Sequence, residues 1–245
     1  MVKHNRGATP LYAAALKGAD VCAALLLKCG ANPNAMTENE ATPMLVACQE
    51  GHLLTSMLLS SYGASRETRP WRGLVPLVGT WADELAYRYG HEELVRWLRA
   101  SGSFSPLHHI QVLTPQHTLA LLHEGCSPTA CCTSPCYKSP VSPADLACKH
   151  PSNAAAEIIL NAAKPWSPAT HELWSDDLRA RAVFVLKLGY LLAHEYAAGA
   201  ECSMRDVWLA HVMPLAVTWD DSCTPVFAYA ASIGKKGLHC ARKKN

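Results

Sequence analysis

Several absences bound this chain of 245 residues before any one residue is singled out. Charge of one sign is missing: 22 Lys and Arg stand against 20 Asp and Glu, a formal net charge of +2 with His neutral. No global field therefore draws the chain onto nucleic acid or a membrane surface. A long apolar run is missing too, because the longest, Ala182 to Ala193, is interrupted by Lys187 and preceded by Arg179 and Arg181. It falls well short of the roughly 20 residues that span a bilayer and reads as a buried helix. The N-terminus, Met1 to Arg6, has no apolar core or small-residue cleavage site, so no signal peptide is expected.

Catalytic signatures are absent as well: no H-E-x-x-H, no G-x-S-x-G, no phosphate loop and no glycine-rich dinucleotide motif. Gly234-Lys235-Lys236-Gly237 lacks the Walker pattern. The acidic pairs Glu92-Glu93, Asp176-Asp177 and Asp220-Asp221 are adjacent residues. Such neighbours diverge by about 100° on a helix and form a solvated face, so neither an enzyme nor a cofactor is expected.

What is abundant is cysteine, eleven in all. The odd count, the length and the placement of several inside apolar helical patterns point to reduced thiols and an intracellular protein. That means the cytoplasm, or the nucleus if the basic tail from Lys235 to Lys244 is an import signal. One cluster, Cys126, Cys131, Cys132 and Cys136 with His123, Cys148 and His150 nearby, invites zinc. It has no C-x-x-C knuckle, and the expectation is no metal, with a zinc- or nucleic-acid-binding role through this loop and the tail kept as an alternative.

Organisation comes from an internal repeat. Thr9-Pro10-Leu11, Gly18 and Gly30-Ala31 recur as Thr42-Pro43-Met44, Gly51 and Gly63-Ala64, displaced by 33 residues. A threonine before proline caps and starts a helix, and each glycine suits the left-handed residue that ends one. Every unit is thus two short helices. In the first, the second helix runs from about Asp20 to Cys29, with Cys22, Ala23, Leu25, Leu26 and Leu27 as its packing stripe.

A third unit takes Ala82 to Tyr89 as its first helix, turns at Gly90-His91 and closes at Gly102. Its approach is six residues longer than the frame allows, an enlarged finger with Arg66, Arg69, Trp71 and Arg72. A fourth opens with Ser105-Pro106-Leu107-His108, has Thr114-Pro115 where Gly-His is expected, and closes at Gly125. A degenerate fifth spans Ser142-Pro143 to Ala163.

This pattern resembles the ankyrin-repeat family, with units at about 4–36, 37–69, 75–104, 105–137 and 138–164 inside a domain of residues 1–164. The resemblance implies an all-α solenoid of helix-turn-helix units with hairpin-like loops, and a non-enzymatic protein-interaction module or scaffold. It also implies that His52, His91 and His108 pack turns, and that a protein partner meets the hairpin tips and the concave face. Mapped here, the tips are about Met36 to Glu40, Arg66 to Gly73, Ser103 to Phe104 and Ser127 to Lys138, with Tyr12, Leu45 and His109 on or beside first helices. The expected contact residues are Tyr12, Met36, Glu38, Glu40, Arg66, Arg69, Trp71, Arg72 and His109. Trp71 either anchors the partner or pins the finger. The partner's identity stays open, and a monomer is expected.

Beyond the repeats, a helical extension over 165–219 is expected to cap the array. Its main helix runs from about Asp176 to Tyr196, with Leu178, Val185, Leu188, Leu191 and Leu192 as the covering stripe. Ser203-Met204-Arg205-Asp206 reads as a capping box for a short helix ended by Pro214, and residues 220–245 as a flexible basic tail. The alternative function for this arrangement is a ubiquitin-ligase substrate adaptor whose C-terminal helices dock the ligase scaffold.

Overall fold

The first two helix pairs begin where a hydroxyl precedes a proline. Thr9 Oγ1 accepts a hydrogen bond from the Tyr12 N–H at 3.2 Å, and Pro10 starts α1 (Pro10–Lys17), because the N–H that proline lacks would have no helical partner there. Thr42 does the same for α3 (Pro43–Glu50), accepting from the Leu45 N–H at 3.4 Å. Each is followed by its antiparallel mate, α2 (Asp20–Lys28) or α4 (Leu53–Ser61). The third pair is α5 (Trp81–Arg88) and α6 (Glu92–Ala100). The chain is a computed structural model that describes residues 7–67, 81–133, 139–196 and 208–217.

Two glycines between paired helices are fixed by two requirements at once. Gly18 and Gly51 are left-handed, with φ of 63° and 78°, a conformation that costs other residues about 1–2 kcal/mol. Each also lies under the imidazole of the following unit: a Cβ on Gly18 would sit 2.5 Å from His52, and one on Gly51 2.4 Å from His91. Those rings reach back to donate Nε2–H to a carbonyl at the end of the preceding first helix, His52 to Leu16 at 3.3 Å and His91 to Gln49 at 2.8 Å. Helix ending and unit-to-unit bonding are one device.

The first helices stack, α1 on α3 and α3 on α5, and α2 packs on α4. Their shared core holds Leu11, Ala15, Ala23, Leu27, Met44, Leu45, Leu59, Ala82, Leu85, Leu94 and Leu98. The alanines Ala15, Ala47 and Ala86, all fully buried, let the first helices approach closely. In α2 the buried stripe is narrower than expected: Ala23 and Leu27 are inside, whereas Cys22 and Leu25 are exposed. Among the described residues no strand forms, only an isolated antiparallel bridge between Cys132 and Val141.

Beyond the third pair the sequence frame loosens. Gly102 lies outside the left-handed region, unlike Gly30, Gly63, Gly90 and Gly125, and the Ser101 hydroxyl before it donates to the Trp97 carbonyl at 2.7 Å. The fourth unit's first helix shrinks to a 3-10 turn, Pro106–His108. Thr114-Pro115, out of place as a turn, starts α7 (Pro115–His123) instead, with Thr114 Oγ1 accepting from the His117 N–H at 3.3 Å.

This helix start returns to earlier units. His117 donates to the Ser61 carbonyl at 3.1 Å and stacks on Tyr62 with centroids 3.8 Å apart, and Lys28 donates to Gln116 at 3.4 Å. The fifth unit has α8 (Pro143–Ala147), opened by a reciprocal cap between Ser142 and Asp145, and α9 (Ala154–Ala162).

The chain forms two compact units, Met1–Leu121 with Ala130–Ile159, and Leu122–Thr129 with Leu160–Asn245. The second is organised by α10 (Asp176–Tyr196), a π turn at Trp208–Val212 and α11 (Met213–Ala216). Its core is Trp166, Trp174, Leu178, Ala182, Val185, Met213 and Val217. The covering stripe differs from expectation: Leu178 and Val185 are buried but Leu191 is exposed, and the seam runs instead through Ala182 and Gly189.

A Cβ on Gly189 would sit 2.5 Å from the Trp208 indole, whose N–H donates to the Val185 carbonyl at 3.2 Å. Pro214 does not end a helix; it sits in the first turn of α11, where proline is tolerated. The Leu192 side chain, the capping box at 203–206 and the tail at 220–245 lie outside the described residues.

Candidate functional site

The tip between the first two units is built by its threonine. Thr37 Oγ1 accepts from the Ala41 N–H at 3.2 Å, the Thr37 N–H donates to the Ala41 carbonyl at 3.0 Å, and Glu40 closes the turn with φ 61°. This presents Met36, 56% exposed, and Glu38 to solvent. Glu40 is half-buried. Tyr12 is half-buried against the core, and that burial, with Glu50 second, raises its hydroxyl pKa. Leu45 belongs to the core rather than to a surface.

Arg66, expected in the enlarged finger as a contact residue, is instead a clamp. Its guanidinium donates to the Leu98 carbonyl at 3.0 Å, to Ser60 Oγ at 2.9 Å and to Ser101 Oγ at 3.0 Å, and lies 4.8 Å from the Trp97 ring centroid. Three acceptors and an aromatic face leave it no freedom to meet a partner, and burial lowers its pKa. The sequence signal missed was the pair of serines, Ser60 and Ser101, each at the end of a second helix. The clamp borders a hollow of about 450 Å³ with the exposed Glu67 and Arg99 among its lining residues. Arg69, Trp71 and Arg72 lie outside the described residues.

His109, expected beside the groove, is buried, 5% exposed. Burial, then the charges of Arg66 and His108, push its pKa down to about 3, so the ring is neutral. Its neighbour His108 works as the repeat frame requires. Nδ1 accepts from the Ser105 N–H at 3.0 Å, which leaves the proton on Nε2, directed at the Val141 carbonyl 3.2 Å away. Phe104, assigned to a tip, stacks on His108 with centroids 4.8 Å apart.

Among the cysteines of the loop, Cys132 is buried with its thiol donating to the Val141 carbonyl at 3.3 Å, and Cys131 and Cys148 are exposed. Burial raises the Cys126 thiol, with Glu124 second, and the thiol of Cys48 in α3 is pushed up to about 12 by burial. Cys136 lies outside the described residues, and among those described no group of three His, Cys, Asp or Glu is gathered as a metal would need. No described helix is long and apolar enough to cross a membrane.

Residues 1–70 match the family profile described as ankyrin repeats (3 copies). No curated protein matches the chain. Repeats of this family generally mediate protein–protein interaction and are typically non-enzymatic.

Proposed function

From the premise that residues 1–70 carry ankyrin repeats, we propose that the chain is a protein-recognition module whose partner docks on the tips and the hollow beside them. The observation that carries this reading is the first tip, where a hydrogen-bonded turn on the helix stack holds Met36 and Glu38 in solvent. A rigid surface loses little freedom on binding, so an exposed thioether beside a carboxylate becomes a usable contact. The hollow bordered by Glu67 and Arg99 supplies the concavity at the second tip.

The test compares proteins captured by the wild-type chain with those captured by a Met36→Ser/Glu38→Lys variant and by Trp71→Ala/Arg72→Ala. A partner on the tips is lost by at least one variant. If every captured protein persists at equal yield with both, the contact surface lies elsewhere.

A further inference from the structure

Helix α10 carries two seams of the same spacing. Leu178, Ala182, Val185 and Gly189, separated by four, three and four residues, are all buried and face the core that holds Trp208 and Met213. Ala180, Phe184, Lys187 and Leu191 repeat that spacing two residues further on, about 200° round the helix, and all four are exposed. Phe184 is 59% and Leu191 61% exposed, with Val183 and Tyr190 alongside at 40% and 71%. Four large side chains gathered on one helix face are a patch, unlike the scattered exposure that needs no explanation. Their spacing is the heptad pattern by which one helix packs on another, the side chains of each filling gaps between those of its mate.

The order of residues along the open seam selects the mate. A two-fold axis midway between Phe184 and Lys187 also lies midway between Ala180 and Leu191, and it sets two α10 helices antiparallel. Phe184 of each copy then meets Lys187 of the other, and Leu191 of each meets the small Ala180. A cation against an aromatic face is attractive, and a large side chain over a small one fills space without a clash. Both contacts are made twice, as a two-fold interface requires. A parallel pair would instead set Lys187 against Lys187, a like-charge contact.

We propose that α10 pairs through this seam with α10 of a second copy of the chain, in antiparallel register, so that the protein associates as a two-fold dimer rather than the expected monomer. The patch covers only about three turns, so the contact belongs with the small, weak interfaces and forms at micromolar concentration or above. Such a dimer carries two copies of the ankyrin repeats, and it stands independently of what those repeats bind.

The test is sedimentation velocity on the full chain from about 1 to 300 μM, with a reductant present so that exposed cysteines form no cross-links. The wild type is expected to shift from monomer to dimer across that range. Phe184→Lys sets a lysine against Lys187 of the second copy and should raise the dissociation constant about tenfold or more. Phe184→Glu, equally polar, gains an opposite charge there and should dimerise about tenfold more tightly than Phe184→Lys. The other layer gives the same reading independently: Leu191→Lys weakens the dimer and Ala180→Glu/Leu191→Lys recovers it, so one variant that fails to fold leaves the test intact. A wild type that stays monomeric throughout overturns the proposal. A dimer indifferent to Phe184→Lys and Leu191→Lys overturns it too, because the contact then lies elsewhere. Equal losses with lysine and glutamate at 184, or no recovery in the Ala180→Glu/Leu191→Lys variant, overturn the antiparallel register on which it rests.

Discussion

Unit one and unit two share a frame, yet the same positions have different fates. Leu25 is 59% exposed and its counterpart 33 residues on, Leu58, is 6% exposed. Ala13 and Cys22 are likewise exposed where Val46 and Thr55 are buried. Nothing in the local sequence of α2 and α4 separates them. The difference is the neighbour: α4 has α2 against that face, with Thr55 donating to Asp20 across the contact, and among the described residues α2 has no such helix. Burial in a repeat array belongs to the interface between units.

The strongest way to break this comparison is to truncate both leucines. Leu58→Ala should cost about 2–5 kcal/mol, and Leu25→Ala no more than about 0.5, read as shifts in urea unfolding midpoints. Equal losses would mean that something covers α2 as α2 covers α4.

A second contrast separates the two tasks of glycine. Gly51→Ala forces a left-handed alanine and also displaces His91 from the Gln49 carbonyl, about 2–3 kcal/mol together. Gly30→Ala, with φ 83° and nothing within 4 Å of its new Cβ, should cost only the backbone strain, about 1–2 kcal/mol. Identical losses in thermal unfolding would remove His91 from the account.

The junctions differ in the same way. Units one and two are tied by Asn34, which donates to the Gly63 carbonyl at 3.2 Å and accepts from the Ser65 N–H at 2.7 Å. Units two and three are tied by the charged clamp of Arg66, one repeat after Pro33, which has no donor. Hydrogen bonds to charged groups are worth about 1.5–3 kcal/mol and neutral ones about 1. Arg66→Ala should therefore cost about 2 kcal/mol and Asn34→Ala about 1. Arg66→Lys should restore little, because a single ammonium cannot serve three divergent acceptors. Stability measured on all three variants checks the order.

Helices α1 to α4 were legible because threonine–proline and glycine act locally: a cap, a fixed φ and a left-handed residue need no distant partner. Arg66 and His109 were misplaced because their surroundings are set by segments far along the chain, α6 for the clamp and the shortened 106–108 turn for the histidine. The seam of α10 departs from the expected stripe for a different reason. Ala182 and Gly189 are small, so a search for large apolar residues passes over the positions that Trp208 fills. An exposed residue such as Met36 leaves no packing signal, and its proposed role at the tip rests on the family resemblance alone.

The smallest contrast lies in pH. Above pH 6.5, His109 is neutral in both folded and unfolded chains and stability is unaffected. As pH falls below that value the unfolded chain takes up a proton that the folded one, with its pKa near 3, refuses, so stability is lost over the window from 6.5 down to about 3. The limiting slope is about 1.4 kcal/mol per pH unit for one such group, and His108, also lowered by burial, acts in the same direction. Between pH 7.5 and 5.5 the wild type should lose about 1 kcal/mol more than His109→Phe in urea unfolding. A variant that loses stability in parallel with the wild type would show that water or a proton reaches the ring, and that its burial is less complete than that of the core around Leu58.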